Sequence, residues 1–215
     1  MLYVANYKSN NISLIRISDN SVTNVALTTS EPNSMVYQKA LKRLFVACEG
    51  EDKVAMIDLS KNNAVTYIKV GNRPSQVLFN PNQEILYVAN FGSNTVSIID
   101  TVQGVARPPL TVGEGPIGMG LNGDCNLLFV CNYCSRTLSV IDLVGNFVLP
   151  DQLLTGKDSG NAFGVAVYLE SNDYANVFVG KENFPDRRPC GTPSPNTSIS
   201  VAAFSIQKPG TGGSL

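Results

Sequence analysis

Histidine is absent from all 215 residues, and so is tryptophan. The first absence removes Ser-His-Asp and Cys-His catalysis, histidine-ligated haem, and most zinc and copper sites. The two together remove the WD40 repeat signature. Charge is scarce: Asp, Glu, Lys and Arg make up 15% of the chain, well below the usual quarter, and sum to a formal net charge of −1. Without a basic excess there is no electrostatic footprint for nucleic acid or for an acidic membrane surface. No apolar run reaches the length of a membrane-spanning helix. The first residues, Met1-Leu2-Tyr3-Val4-Ala5-Asn6, show no basic region followed by an apolar stretch, so this segment carries no signal peptide.

What is present is a normal apolar fraction of 43%, with polarity supplied by Asn, Ser and Thr, residues suited to turns and exposed strand faces. The length suffices for one or two domains with a real core. Most of it is organised as a repeat. Tyr3-Val4-Ala5-Asn6 recurs as Phe45-Val46-Ala47-Cys48, Tyr87-Val88-Ala89-Asn90 and Phe129-Val130-Cys131-Asn132, and the starts at positions 3, 45, 87 and 129 are each 42 residues apart. A second apolar run begins nine residues after each start, at Ile12, Val54, Val96 and Leu138. Aspartate follows three of these runs, at Asp58, Asp100 and Asp142, with Arg16 in the fourth place. Pro32, Pro74 and Pro116 keep the same period.

Each unit reads as four short strands rich in Val, Ile and Tyr, separated by Asn-Pro-Asn, Gly-Ser-Asn and Gly-containing turns. In the third unit they fall at Ser75–Asn80, Ile85–Asn90, Thr95–Asp100 and Val105–Val112. Four antiparallel strands recurring at this period predict an all-β fold, a β-propeller of four-stranded blades, because stacked neighbours bury faces that one blade cannot bury alone. An antiparallel β-solenoid is the structural alternative. Blades occupy residues 1–206, and a Gly-rich tail, 207–215, is predicted to be flexible.

A fifth unit starts at Ala162–Tyr168, pairs with Asn176–Lys181 and returns at Ser198–Ile206. Naming the strands of a blade A to D from channel to rim, the chain opens on a B strand and closes on a C strand, so its ends do not complete each other. The expectation is about five blades of a longer ring, with missing blades of the same chain as partners; a five-bladed ring closed imperfectly is the alternative.

The tetrapeptides Tyr3–Asn6 and Tyr87–Asn90, the latter followed by Ser-Asn-Thr-Val-Ser-Ile-Ile-Asp at Ser93–Asp100, resemble the YVTN family of β-propellers, with Ala where that family has Thr. The likeness covers nearly the whole chain. It implies a seven-bladed ring and an extracellular, periplasmic or cell-surface setting, and it names a fold family rather than an activity. Lactonase propellers are similar in blade sequence too. The final stretch, Ile199–Leu215, with Phe204-Ser205-Ile206 before Gly210, resembles their blade endings. Such enzymes usually rely on a histidine among polar residues converging in the channel.

Several residues stand out as candidates for binding. The loops leading into the A strands place Glu31, Arg73, Glu114 and Asp158 near the channel mouth, where converging polar side chains make the default ligand site. Their mixed signs argue against a dedicated ion trap, and solvated loop charges are the bland reading. The connection Lys181–Asn196 is about a dozen residues longer than its counterparts and holds Arg187, Arg188 and Cys190, a second candidate because long loops on rigid scaffolds often carry function; a tolerated surface insertion is its bland reading. Asn6, Asn90 and Asn132 end the B strands and read as structural turn-formers, and the C-strand aspartates read the same way. Glu49-Gly50-Glu51-Asp52 lacks calcium-loop spacing and reads as a solvated turn.

Five cysteines leave an odd one. Cys131 and Cys134 have redox-motif spacing, but in extended geometry their Cα atoms would lie about 10 Å apart, too far for a bridge. Cys134 with Cys190 is the expected pair, since both lie on B–C connections of adjacent blades, and such a bridge belongs in an oxidising compartment. Asn11-Ile-Ser13 and Asn196-Thr-Ser198 fit the glycosylation acceptor pattern.

No metal site and no cofactor is expected. The functional expectation is a non-catalytic binding or scaffold propeller of the cell envelope or extracellular space, taking a protein, glycan or small-molecule ligand. The alternative is a hydrolase acting on a small lactone.

Overall fold

The computed structural model describes residues 1–28, 31–150, 153–154, 161–169, 174–182 and 199–207. The chain forms two compact units, Met1–Leu110 and Thr111–Leu215. The fold is all-β, with propeller blades as its sheets and, among the described residues, one 3-10 turn at Glu49–Glu51 as the helical content. No helix among them is long and apolar enough to cross a membrane.

In the first unit β1 (Leu2–Asn6), β2 (Asn11–Ile15) and β3 (Val22–Ala26) form a three-stranded sheet. A four-stranded sheet follows, made of β4 (Pro32–Gln38), β5 (Arg43–Cys48), β6 (Lys53–Asp58) and β7 (Ala64–Lys69). Another is made of β8 (Pro74–Asn80), β9 (Ile85–Asn90), β10 (Thr95–Asp100) and β11 (Val105–Thr111). The second unit holds β12 (Pro116–Leu121), β13 (Leu127–Asn132) and β14 (Thr137–Asp142), with the short β15 (Phe147–Val148) and β16 (Leu153–Leu154) both paired to β14. Its other sheet is β17 (Asn161–Leu169), β18 (Tyr174–Glu182) and β19 (Ile199–Gln207), and β12 and β13 lie against β17. The first sheet therefore supplies B, C and D strands and the last supplies A, B and C, as the strand arithmetic predicts. The Gly-rich tail lies outside the described residues beyond Gln207.

Side-chain alternation explains why sheets stack. On β5, Leu44, Val46 and Cys48 face the first sheet and pack with Ile12, Leu14, Val25 and Leu27. Phe45 and Ala47 point the other way, into Val77, Leu86, Val88 and Ile99 of the third sheet. A strand buried on both faces reads as a continuous apolar run, as the first three residues of the tetrapeptides on β5, β9 and β13 do. Phe45, Tyr87 and Phe129, equivalent by spacing, are at most 1% exposed, and each such buried side chain contributes on the order of 1.5–3 kcal/mol.

The period-keeping prolines start the A strands. Pro32, Pro74 and Pro116 each sit at a register shift, opposite Cys48, Asn90 and Asn132. A residue without an N–H fits there because the ladder is already interrupted. At the far end of each blade Asp58 Oδ1 accepts from Ser60, Asp100 Oδ1 from the Val102 and Gln103 N–H groups, and Asp142 Oδ1 from those of Val144 and Gly145. These aspartates are the turn caps that the sequence suggested. Nearby, Gln38 joins the second sheet to the third: its carboxamide donates to the Glu84 carboxylate and, at 3.1 Å, to Thr101 Oγ1.

Candidate functional site

At the end of the sheets opposite those aspartates, two kinds of connection meet: the B–C turns, and the loops leading into the A strands. Their backbones are tied in the same way at equivalent positions. Glu49 N–H donates to the Glu31 carbonyl at 3.1 Å and Phe91 N–H to the Arg73 carbonyl at 2.9 Å; in the second unit Tyr133 N–H donates to the Gly115 carbonyl at 2.8 Å. Residues 31, 73 and 115 are thus one register, and residues 49, 91 and 133 another. Position 7, a tyrosine, belongs to the second register by spacing.

All three residues of the first register are left-handed, with φ of 64° at Glu31, 51° at Arg73 and 65° at Gly115. Only glycine adopts that conformation freely; a side chain there costs about 1–2 kcal/mol. Glu31 and Arg73 are held there by the preceding B–C turn. Asn10 Oδ1 accepts the Glu31 N–H at 3.0 Å, and Asp52 Oδ1 accepts the Arg73 N–H at 2.8 Å. Asn10 and Asp52 are left-handed themselves, a geometry that Asn and Asp tolerate best.

The second register carries an aromatic residue in three units, Tyr7, Phe91 and Tyr133, and a glutamate in the fourth, Glu49. Phe91 and Tyr133 are buried, and Glu49 is buried in the same way. A carboxylate in an aromatic slot needs compensation. Arg73 supplies it: Nη2 donates to Glu49 Oε1 at 3.0 Å, while Asn33 Nδ2 donates to Oε2 at 3.1 Å. The guanidinium also lies over Phe91, 4.9 Å from the ring centre. The Glu49 side chain is 9% exposed and that of Arg73 38%, so the pair has one buried partner and one that reaches solvent.

This corrects the reading of Glu49-Gly50-Glu51-Asp52 as a solvated turn. The 3-10 turn rotates Glu49 inward, and Asp52 pins the next loop; Gly50 and Glu51 stay at the surface, with Glu51 3.1 Å from Lys53. Sequence reasoning missed Glu49 because its burial follows from register: it stands 42 residues before Phe91, in a column of aromatics.

Of the candidate residues, Glu31 and Arg73 both contact Glu49, Glu31 through its backbone carbonyl and Arg73 through its guanidinium. Glu31 is partly exposed, and its carboxylate has no hydrogen-bond or ion-pair partner among the described residues. Glu114 lies in the second unit, one residue before the left-handed Gly115; it is exposed, and its N–H donates to Ser135 Oγ at 3.0 Å. Asp158, Arg187, Arg188 and Cys190 lie outside the described residues, as do Asn196 and most of the Lys181–Asn196 connection.

The B-strand asparagines are architectural. Asn90 Nδ2 donates to Thr95 Oγ1 and Ser97 Oγ at 3.0 and 2.8 Å, and Asn132 does the same with Thr137 and Ser139 at 2.9 and 2.8 Å. The loops passing above them need glycine: a Cβ on Gly71 would stand 2.3 Å from Ser93 Oγ, and one on Gly113 2.5 Å from Asn132 Nδ2.

Cys48, Cys125 and Cys131 are free thiols and Cys134 is disulfide-bonded. Burial pushes the Cys131 thiol up to about 12, so it is inert rather than one half of a redox couple with Cys134. Among the described residues no group of three or more His, Cys, Asp or Glu side chains converges as a metal site would require.

No family model matches this chain, and no curated protein matches it. Solved structures do. Hydrazine synthase of Kuenenia stuttgartiensis is 20% identical, with a TM-score of 0.71 over 95% of this chain and 59% of its own. Virginiamycin B lyase from Staphylococcus aureus is 16% identical, with a TM-score of 0.69 over 96% of this chain and 67% of its own. A catalytically inactive histidine-to-alanine variant of that lyase, in complex with quinupristin, is 11% identical, with a TM-score of 0.68 over 93% of this chain and 64% of its own. At these identities the likeness shows the propeller fold. The chain spans about three fifths to two thirds of the length of these structures.

Proposed function

We propose that this chain is a non-catalytic binding propeller of the YVTN type, working outside the cell or in its envelope, and that its ligand sits on the face bearing Glu31, Asn33, Glu49 and Arg73. The Glu49–Arg73 pair is the observation that carries the reading. A buried carboxylate occupies a position where buried aromatic residues, Phe91 and Tyr133, pack in two other units, and its arginine is left 38% exposed. For packing alone, another aromatic at Glu49 and a glycine at Arg73 would have served, as Tyr133 and Gly115 do. The polar alternative keeps an oriented guanidinium at the surface.

Two further points support it. The lyase with the same fold exists as an inactive variant in which a histidine is replaced, and these 215 residues contain no histidine to play such a part. The disulfide at Cys134 suits an oxidising compartment; Cys190 is its proposed partner.

A thermal-shift screen of sugars, amino acids and organic acids, run in parallel on the chain and on Arg73→Ala, tests the proposal. Ligands that raise the melting temperature of the first and leave the second unchanged are expected. Hydrolysis of simple lactones above the buffer rate, lost in Glu31→Gln, would overturn it in favour of an enzyme.

A further inference from the structure

Resting on that binding reading, the charges of the site go further and name a ligand class. We infer that the face around Glu49 takes a small zwitterion, an ammonium and a carboxylate carried on one molecule, with the ammonium on Glu31 and the carboxylate on Arg73.

Glu31 and Arg73 occupy the same structural position in consecutive units, each one residue before an A strand and each left-handed where Gly115 serves in the second unit. They carry opposite charges. The backbone N–H of each is already held, by Asn10 and by Asp52, so neither residue's backbone must be fixed when a ligand arrives. Both adjoin the same residue, since the Glu31 carbonyl accepts the Glu49 N–H and Arg73 holds the Glu49 carboxylate.

Their unused valences are complementary to a zwitterion. The Glu31 carboxylate has no partner among the described residues and is an acceptor for an ammonium. Arg73 spends Nη2 on Glu49 and its face on Phe91, which orients the guanidinium and leaves further N–H donors on a side chain that is 38% exposed. In-plane donors in that arrangement match a carboxylate in two-point contact. Asn33, exposed beside them, donates its amide N–H to Glu49 and retains a carbonyl oxygen for a second ammonium hydrogen.

The charge balance selects against simpler ligands. Glu49 and Arg73 cancel, leaving Glu31 as the net charge of the three. A plain anion would meet Arg73 already neutralised and Glu31 repelling it. A plain cation would satisfy Glu31 and leave the guanidinium edge unused. One molecule carrying both charges answers both groups without altering the net charge of the site.

The test uses the purified 215-residue chain and a graded series of probes: L-alanine, β-alanine and γ-aminobutyrate, with propylamine and propionate as single-charge controls. Binding is read by calorimetry and by backbone amide shifts at Asn33, Glu49 and Phe91. At least one zwitterion is expected to bind about tenfold or more tightly than either control, with shifts confined to those residues. Glu31→Gly suits the left-handed backbone, so it should keep or raise the melting temperature while weakening the zwitterion about tenfold. Arg73→Lys should retain charge and lose the two-point contact, with a similar loss. Equal affinity for propylamine, propionate and every zwitterion, or unchanged affinity in Glu31→Gly, overturns the assignment. If another ligand class binds in an Arg73-dependent way while the zwitterions do not, the ligand class falls and the binding face stands.

Discussion

Arg73 reaches from the loop before β8 to Glu49 at the end of β5, placing Nη2 3.0 Å from Oε1, and so clamps the second sheet of the first unit to the third. The partners are unequal. Removing Arg73 strands a carboxylate that is nearly buried, whereas removing Glu49 leaves an arginine that can turn to water.

Arg73→Ala should therefore destabilise more than Glu49→Ala, by about 1–3 kcal/mol, discounted from the fully buried case because the Arg73 side chain is 38% exposed. Glu49→Phe, which restores the aromatic register, should recover most of that loss when combined with Arg73→Ala. Urea unfolding of the two single variants and the double variant reads this directly. A double variant as unstable as Arg73→Ala would mean that the slot is not shaped for a ring.

Cys48 occupies the asparagine position of β5, and the asparagine that the repeat favours should be harmful there. Asn90 and Asn132 rest on Thr95 with Ser97 and on Thr137 with Ser139, but the residues facing Cys48 in that pattern are Lys53 and Ala55. Cys48→Asn would bury a carboxamide without partners and cost about 1–3 kcal/mol. Adding Ala55→Ser should return part of it. Chemical denaturation of the pair decides, and a neutral Cys48→Asn would refute the account.

Acid should weaken the fold through the C–D turns. A hydrogen bond from the Ser60 hydroxyl foremost, with help from Lys61 and Arg43, holds the Asp58 carboxyl below the usual range; the Gln103 N–H foremost, then Val102 and Arg107, does so for Asp100. Because the folded chain favours these carboxylates, their contribution is complete above the ordinary aspartate value of about 4 and is lost as pH falls through the lower folded values. Urea midpoints should drop below about pH 4, and Asp100→Asn should flatten that drop. A midpoint equally steep in the variant would assign the effect to other groups.

Thiol reactivity should follow burial. Cys125 is partly exposed, so it should be alkylated first in the folded protein at mildly alkaline pH, slowly because burial and Asp124 both raise its thiol. Cys131, pushed up to about 12, and the buried Cys48 should react only on unfolding. A non-reduced digest should show Cys134 in a disulfide, with Cys190 as the proposed partner. Mass spectrometry after brief iodoacetamide treatment reads all of these positions at once, and early labelling of Cys131 would contradict its burial.

The blades were legible in the residues themselves. A tetrapeptide returning every 42 positions, followed by a second apolar run and an aspartate, sets where strands begin and end, because alternation and turn chemistry act over a few neighbours. Ile85–Asn90 and Thr95–Asp100 were read to the residue, and Asp58, Asp100 and Asp142 cap their turns as that chemistry requires. Arg73 and Glu31 were legible as loop charges, for the same local reason.

Glu49 was not. Its neighbours Gly50, Glu51 and Asp52 suggest a hydrated turn, and only the stacking of one sheet on the next puts its carboxylate in an aromatic slot beneath Arg73. Side-chain order along a strand is a matter of near neighbours, so sequence determines it. Which distant charges meet is decided by how whole sheets pack, and only the tertiary structure brings together residues 24 positions apart on different blades.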